Sequence, residues 1–474
     1  MSHLQEKFMK NKPKIIFAGI SLEYYRQYNC GLEYYQKSYQ LWKKKLSAIA
    51  DIRADGLVFT TEEIQSLLQL VPANEIDALV ISPLSYTASR PVWDAVKDYD
   101  VPICIWNTQT DLTVTREYGP DDLLKNHTVQ GTQDITNVLF RRKRPFQIVT
   151  GHYADPEKLQ KLMGILEVCQ AVRASRNIRT FSLGGRFEGM DDFLFDPQLV
   201  KQKLGWSFEE LPLDEYVKCW QSVDDAEAAA LAEADFRNCH IFPGVELSRH
   251  RKFVRSYLAL HKLAEKYRFD ALTFNFLSFP GLPETEMVPF YGINRMLADG
   301  FGYAGEGDAL RAALMAAMSK LASPVNFTEI YTVDFENQRM MMTHMQECNP
   351  ACARKDLPVK LQLMPLPQDE NLTYYGMNFT VEPGIATLVT LTDDGSGNLR
   401  YIAFAGAVED MLPLENYNRG HWIIRVDDAA DLLDRYSLAG GTHHLIALTG
   451  DCREKLALMA QMQNVEFLNL GGIK

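Results

Sequence analysis

No apolar run in this 474-residue chain approaches the ~18–20 residues needed to cross a membrane, which argues against a membrane partner. The start, Met1-Ser2-His3-Leu4-Gln5-Glu6-Lys7, has no apolar signal core, so nothing there directs export and a cytoplasmic location is expected. The eight cysteines, Cys30, Cys104, Cys169, Cys219, Cys239, Cys348, Cys352 and Cys452, include no CxxC pair. That scatter fits a reducing compartment better than a disulfide framework. His344, Cys348 and Cys352 recur at i, i+4 and i+8, but Pro350 breaks the helix that a zinc half-site on one face would need. Basic charge is short too. The 49 Lys and Arg against 61 Asp and Glu leave a net charge of -12, which argues against nucleic acid as a partner. One basic cluster, Arg141-Arg142-Lys143-Arg144, follows an expected helix over Gln133 to Phe140 and reads as solvated cations at its negative end. A phosphate-binding loop is missing as well. The first strand is followed by Gly19-Ile20-Ser21-Leu22-Glu23, neither GxGxxG nor a P-loop, so no nucleotide cofactor is expected.

What is present is the make-up of a globular protein, 46% hydrophobic and 23% charged, long enough for about three domains. Buried strands are expected at Lys14–Ile20, Asp77–Ser82, Val101–Trp106 and Gln147–His152. Helices alternate with them at Glu33–Ile49, from a cap at Thr60, at Ser89–Asp98 and at Pro156–Ala174. Such repeats imply a Rossmann-like, doubly wound parallel sheet over residues 1–175. Its ligands would meet the loops holding Ser21, Tyr86, Asn107-Thr108-Gln109 and His127. A central α/β domain over 176–324 is read from strands at Arg179–Leu183 and Asp270–Phe279, and from helices at Asp224–Asp235, Ser248–Arg268 and Glu286–Asp299. Ser248 is expected to cap its helix, and Pro289 to kink or start the last one. After Pro324 the pattern alternates with period two over Val325–Met342, Val359–Leu366, Leu372–Val381, Ala386–Thr392 and Leu399–Ala405. A hairpin signal lies at Asp394-Gly395-Ser396-Gly397. The third domain, 325–474, is therefore antiparallel, β-rich and barrel-like, with helices at Asp427–Tyr436 and Arg453–Gln463.

Chemistry concentrates in a few distant pieces. Glu306 stands between Gly305 and Gly307, Glu329 follows Phe327-Thr328, His344 ends a strand-like run, and His443-His444 follow a glycine pair. Glycine costs folding entropy unless the backbone needs its freedom, which marks both loops. Two carboxylates and two neutral imidazoles, Glu306, Glu329, His344 and His444, suit one Mn²⁺, Co²⁺ or Fe²⁺, with Zn²⁺ admissible. Four protein ligands would leave room for two adjacent oxygens of a sugar. A carbonyl polarised there acidifies the neighbouring C–H, and a carboxylate beside it can move that proton between C1 and C2.

Gly302-Tyr303-Ala304-Gly305-Glu306-Gly307-Asp308, Phe327-Thr328-Glu329, His344-Met345-Gln346-Glu347 and Ala439-Gly440-Gly441-Thr442-His443-His444 resemble, in order and approximate spacing, the motifs of the L-arabinose isomerase family. Thr150-Gly151-His152-Tyr153 and Arg295-Met296-Leu297 are similar too. The resemblance implies the three-domain fold and Mn²⁺-dependent aldose–ketose isomerisation. It also implies a trimer-based homohexamer whose sites are shared between subunits. Residue by residue, it implies Glu306, Glu329, His344 and His444 as metal ligands, and Glu306 and Glu329 as the acid/base pair working through an ene-diol. His443 and Phe279 fall on substrate contacts, and Asp308, Phe327 and Glu347 on supporting positions. The sugar-recognising end departs from the family. Gly19-Ile20-Ser21-Leu22 lacks the family's glutamine, Asn126-His127-Thr128-Val129-Gln130-Gly131 holds a histidine and a glutamine in exchanged places, and a methionine contact is replaced near Phe187. Ser21, His127, Gln130 and Phe187 are thus candidate substrate-binding residues, and the expected substrate is a sugar other than L-arabinose. The alternatives are a non-catalytic sugar-binding or regulatory homologue and another metal-dependent sugar reaction such as epimerisation.

Overall fold

A computed structural model describes residues 12–279, 282, 285, 288–366 and 369–473. The opening Met1 to Lys7 and Glu286, where one helix was expected to begin, lie outside the described residues. Two compact units meet in the chain between Arg173 and Ala174. Among the described residues no helix is long and apolar enough to cross a membrane.

The first unit is a five-stranded parallel sheet. Its strands are β1 (Lys14–Ile20), β2 (Asp51–Val58), β3 (Ala78–Pro83), β4 (Ile103–Asn107) and β5 (Phe146–Thr150), in the order β2-β1-β3-β4-β5. Successive side chains of β1 serve opposite faces. Ile16 and Ala18 join a core with Ile64, Leu67, Val92, Val96, Ile135 and Leu139 from three helices. Phe17, on the other face, stacks on Tyr39 of the helix Leu32–Ile49 at 5.2 Å. Both faces being covered, β3 and β4 are buried throughout, apolar but for Ser82 and Asn107, and legible in the sequence, whereas β2 is a half-exposed edge strand carrying Asp51, Arg53 and Asp55, and its charges hid it. Thr60 caps its helix as expected, accepting from the Glu63 N–H at 3.3 Å. Arg144 departs from the solvated reading of its cluster, donating to the carbonyls of Tyr99 and Val101 at 2.7 and 2.9 Å.

The second unit contains β6 (Arg179–Leu183), β7 (Ser207–Leu211), β8 (His240–Ile241), β9 (Ala271–Phe274) and β10 (Gly302–Ala304). A parallel sheet runs β10-β9-β6-β7. The strand expected over Asp270–Phe279 stops at Phe274, because the Asn275 side chain accepts from the Leu277 N–H at 3.1 Å and caps a single 3-10 turn. Glu246, not Ser248, is the N-cap residue of the helix Leu247–Tyr267, and Pro289 is the N-cap residue of Phe290–Ala298 rather than a kink.

The remaining strands are β11 (Val325–Asp334), β12 (Arg339–Thr343), β13 (Lys360–Leu366), β14 (Asp369–Asn378), β15 (Gly384–Asp393), β16 (Leu399–Val408), β17 (His421–Arg425), β18 (Leu445–Thr449) and β19 (Glu466–Asn469). The order β15-β18-β11-β12-β17-β16 closes by β15–β16 pairing, a closed antiparallel barrel with β19 added to β16 in parallel. Barrel strands and the helix Ala429–Leu438 share a core that includes Met340, Met342, Leu388, Phe404, Trp422, Ile424 and Leu432.

The helix Ala309–Leu321 binds the central sheet closely. Ala312, Ala313, Ala316 and Ala317 are all buried, and a Cβ on Gly302 would meet the Ala312 carbonyl oxygen at 2.3 Å and the Ala316 nitrogen at 2.6 Å. Small residues on the helix and no side chain on the strand are two halves of one packing solution. Gly302→Ala is therefore expected to destabilise the protein by about 1–3 kcal/mol through overpacking, read as a lower urea midpoint. A midpoint equal to wild type would show that the interface is looser than described.

Candidate metal centre

Three neighbouring barrel strands and one tight turn bring the chemistry together. Glu329 lies on β11 opposite Thr343, the last residue of β12, so His344 follows directly beside it. Thr328 pairs with Leu445, the first residue of β18, which puts His444 just before that strand on the other side. The turn Gly302-Tyr303-Ala304-Gly305-Glu306-Gly307 leaves β10 and enters the helix Ala309–Leu321. Within it Glu306 itself carries a left-handed φ of 55°, which costs an L-residue roughly 1–2 kcal/mol. Its glycine neighbours serve different needs. A Cβ on Gly305 would meet His344 Cε1 at 3.0 Å, and Gly307 has φ 87° with Arg186 Cα only 2.5 Å from where a Cβ would sit. The second glycine pair is local too. Gly440 turns the chain at φ 81° after the helix Ala429–Leu438, and a Cβ on Gly441 would strike the Tyr436 ring at 2.2 Å.

Glu306 Oε2 lies 3.1 Å from His444 Nε2 and 3.5 Å from His344 Nε2. Glu329 Oε2 lies 3.9 Å from His344 Nε2, and its Oε1 3.6 Å from His444 Nε2. Two ligands about 2.1 Å from an ion and at right angles lie about 3 Å apart. Glu306 Oε2 and His444 Nε2 are both buried without an aligned hydrogen-bond partner, although they face one another. With His444 neutral, two lone pairs face one another, which is unfavourable by about 1–3 kcal/mol for each buried atom left unpaired, and a cation between them would satisfy both. Donor types, spacing and orphaned atoms all fit a divalent ion. Glu306, His344 and His444 form one group able to hold it, and Glu329, His443 and His444 a second that shares His444.

The other ring nitrogens are fixed from behind. His344 Nδ1 donates to Glu347 Oε2 at 2.6 Å, and the Tyr303 hydroxyl donates to Glu347 Oε1 at 2.9 Å. His444 Nδ1 donates to Asp308 Oδ2 at 2.9 Å, and Arg311 Nε donates to the same oxygen at 2.7 Å. Asp308 also caps the helix Ala309–Leu321, accepting from the Arg311 N–H, so the positive helix end supports its charge. Phe327 packs against both imidazoles, 4.6 Å from the His344 ring and 4.7 Å from that of His444, and the two imidazoles themselves lie 5.5 Å apart. Each Nδ1 proton is thus held by a carboxylate, which turns each Nε2 toward Glu306.

Charge in this pocket is unbalanced. Glu306, Asp308, Glu347, His344 and His444 are all buried, and Arg311 is a buried guanidinium set among them. Burial alone would push the His344 pKa down, but Glu347 and Glu306 outweigh it and raise it well above 6.5. Burial also opposes the charged form of His444, which Asp308 and Glu306 nonetheless favour. For Glu306, burial pushes the carboxyl up while His344 and His444 pull it below its ordinary range. The imidazoles hold protons because the carboxylates demand positive charge.

Of the residues expected at the site, the structure gathers Glu306, Glu329, His344, His443, His444, Asp308, Phe327 and Glu347. Phe187 is half-buried beside them, donating its N–H to the Glu306 carbonyl at 2.8 Å. Phe279 is fully buried against Phe274 and Tyr216, at 5.0 and 5.6 Å between rings. Ser21, His127 and Gln130 belong to the first unit. There the Ser21 hydroxyl is buried against that of Ser85 at 2.7 Å, His127 stacks on Tyr86 at 5.7 Å, and Gln130 is exposed. Four residues carried no expectation: Tyr331, Arg311, Asp192 and Phe193. Tyr331 is the extra residue of a bulge between β11 and β12, two positions after Glu329, and a break in the alternation at Ile330-Tyr331-Thr332 is its only trace in the sequence. Nothing near Asp192 signals that it meets His443, 251 positions away.

Comparison with known families and proteins matches the same part of the chain. The L-arabinose isomerase central domain matches residues 197–324, and the L-arabinose isomerase C-terminal domain matches residues 324–466, together more than half of the chain. The L-arabinose isomerase of Yersinia enterocolitica is 23% identical over 426 residues, 87% of this chain and 84% of that protein. That of Serratia proteamaculans is 24% identical over 381 residues, 77% and 75% of the two chains. That of Mannheimia succiniciproducens is 23% identical over 433 residues, 88% and 86%.

The buried Arg311–Asp308 pair yields a stability test. Arg311→Met strips the main compensation from a buried carboxylate and is expected to destabilise the protein by about 3–5 kcal/mol, read as a lower thermal midpoint. Adding Asp308→Asn removes the stranded charge and should recover part of the loss. Equal midpoints for the single and double variants would mean the charge is compensated elsewhere.

Proposed function

This chain belongs to the L-arabinose isomerase family, and on that premise we propose that it is a metal-dependent aldose–ketose isomerase that moves a proton between C1 and C2 of a sugar through an ene-diol. The observation that carries the reading is the facing pair of orphaned, buried ligand atoms, Glu306 Oε2 and His444 Nε2, with His344 and Glu329 completing the shell. Glu306, Glu329, His344 and His444 would hold the ion; the donor set suits Mn²⁺, Co²⁺ or Fe²⁺, and the family resemblance favours Mn²⁺. When bound, it supplies Lewis-acid polarisation of the sugar's carbonyl and neutralises the charge that develops there. The chain's own groups do the rest. Glu306 and Glu329 are the carboxylates within reach of the reacting carbons, one taking the proton and one returning it. Glu347 and Asp308 keep the Nδ1 protons of His344 and His444, so both rings present lone pairs forward. His443, more exposed than its neighbour, takes a sugar hydroxyl, with Phe187 as an apolar wall, while Phe279, fully buried against Phe274 and Tyr216, supports the wall from behind instead of touching the sugar as expected. Phe327 buttresses both metal-facing rings from one side.

The same reading extends to the rest of the molecule. It keeps three domains, 1–175, 176–324 and 325–474, and a trimer-based homohexamer in which Ser21, His127 and Gln130 serve sugar recognition. The departures there favour a sugar other than L-arabinose. The eight free cysteines, six of them buried, agree with a reducing cytoplasm.

Incubating the enzyme with Mn²⁺ and a panel of pentoses and hexoses, with ketose formation as readout, should give turnover on at least one aldose. Binding without turnover, or formation of a 2-epimer alone, would overturn the isomerase reading. Metal analysis should find about one divalent ion per chain, lost in Glu306→Gln/Glu329→Gln. Wild type that holds none, and whose melting is unchanged by a chelator, would remove the metal centre. Acid should weaken metal uptake. His344 keeps its proton above the usual 6.5, and the metal needs that lone pair, so affinity falls as pH drops and starts to fall above 6.5. The expected slope is about tenfold per pH unit for each proton displaced. A flat profile between pH 6 and 8 would contradict the ligand assignment.

A further inference from the structure

The short 3-10 turn Asp191–Phe193 lies near the centre, is not used by the mechanism above, and touches both histidines of the last loop. Asp192 Oδ2 accepts from His443 Nδ1 at 2.6 Å and from the His443 backbone N–H at 3.3 Å. Phe193 stacks on the His444 ring at 4.9 Å and 20°, and lies 5.1 Å from that of His443. Arg311 joins the turn to the metal side, giving Nη2 to the Asp192 carbonyl at 2.7 Å and Nε to Asp308, which in turn holds His444. One guanidinium therefore locks the turn that positions His443 to the carboxylate that positions His444.

His443 needs such a device. Its Nε2 lies 3.6 Å from Glu329 Oε1, and with Glu329 and His444 it makes a second group able to hold a cation. An unrestrained imidazole here could rotate or change tautomer and present a proton where a lone pair is required. Free neutral imidazole has two tautomers, and the partner of one nitrogen decides which is populated.

We propose that Asp192 is a positioning residue that fixes His443 as the Nδ1-protonated tautomer, so that Nε2 faces the substrate as a hydrogen-bond acceptor. The proposal rests on the isomerase reading for its kinetic consequence, but not for the tautomer itself. Asp192 reaches the chemistry only through His443. A carboxylate behind an imidazole commonly changes activity by about 10–100-fold when it is removed.

The test has a spectroscopic and a kinetic arm. Protein labelled with [¹⁵N]histidine is studied by magic-angle-spinning NMR over a pH series, and the tautomer is read from the signals of the neutral ring. The spectrum of His443→Asn subtracted from wild type isolates the ring. Wild type should show Nδ1 protonated and Nε2 bare. Asp192→Ala should shift the population to Nε2–H. Asp192→Asn, whose amide oxygen can still accept both N–H groups, should restore the wild-type tautomer. In the kinetic arm, Asp192→Ala should lower kcat/KM about 10–100-fold with metal content unchanged. It should have no further effect in the His443→Asn background, and Asp192→Asn should recover most of the loss. An Nε2–H ring in wild type, or an unchanged tautomer in Asp192→Ala, overturns the proposal. So does a full loss that persists in the His443→Asn background, or loss of metal in step with activity, because the turn would then be merely structural. If wild type converts no sugar at all, the isomerase reading fails while the spectra still decide the role of Asp192.

Discussion

Burial of negative charge at one rim of the barrel is the constraint on which the rest of this structure depends. Glu306, Asp308 and Glu347 are withdrawn from water around the His344 and His444 rings, and Arg311 is the permanent cation among them. Isolated carboxylates in such surroundings would be unfavourable by several kcal/mol each. The structure answers with imidazoles, a helix N-terminus and a guanidinium, and still leaves Glu306 Oε2 and His444 Nε2 facing one another without a hydrogen bond. A divalent cation would satisfy both, which is the ligand the proposed function calls for.

Holding that arrangement takes rigid support. The barrel supplies it through adjacent strands, since register sets Glu329 opposite Thr343 and Thr328 opposite Leu445, and a slip of one residue would turn the whole set to the other face. The central sheet supplies the opposing wall. Its last strand abuts the alanine-rich helix through Gly302, and the connecting turn spends backbone strain on Glu306. Strain at an acid bracketed by glycines is stable only where the surroundings fix it from several sides. Here Asp308 caps the helix that follows, and Phe187 bonds the Glu306 carbonyl.

Legibility of the fold followed burial. β1, β3 and β4 are apolar on both faces and stood out as continuous runs, while the half-exposed edge strand β2 was invisible. Short β17, β18 and β19 were missed for a related reason. Each is only four or five residues long, too short for a period-two pattern to separate from chance, and each is defined by its partners in the barrel. Ser248 looked like a helix cap by residue type, but the chain turns two residues earlier, at Glu246. The site divides in the same way. Ligand-type residues beside glycines could be read directly, because glycine marks backbone demand. Asp192 and Arg311 could not, because an ordinary acid and an ordinary base in a sequence give no sign of what they will touch.

By itself the sequence determined the classes. It specified a parallel α/β beginning, a β-rich end, no nucleotide loop, and a set of carboxylates and imidazoles whose order along the chain matches one family. These are properties of composition, period and spacing, and all are local. Tertiary structure alone decided which atoms face one another. Closure of the barrel put Glu329 between His344 and His444, and the turn at Asp191–Phe193 met a histidine 251 residues away. Which lone pairs are spent and which are left for a ligand depends on such distant contacts, and no local pattern encodes them.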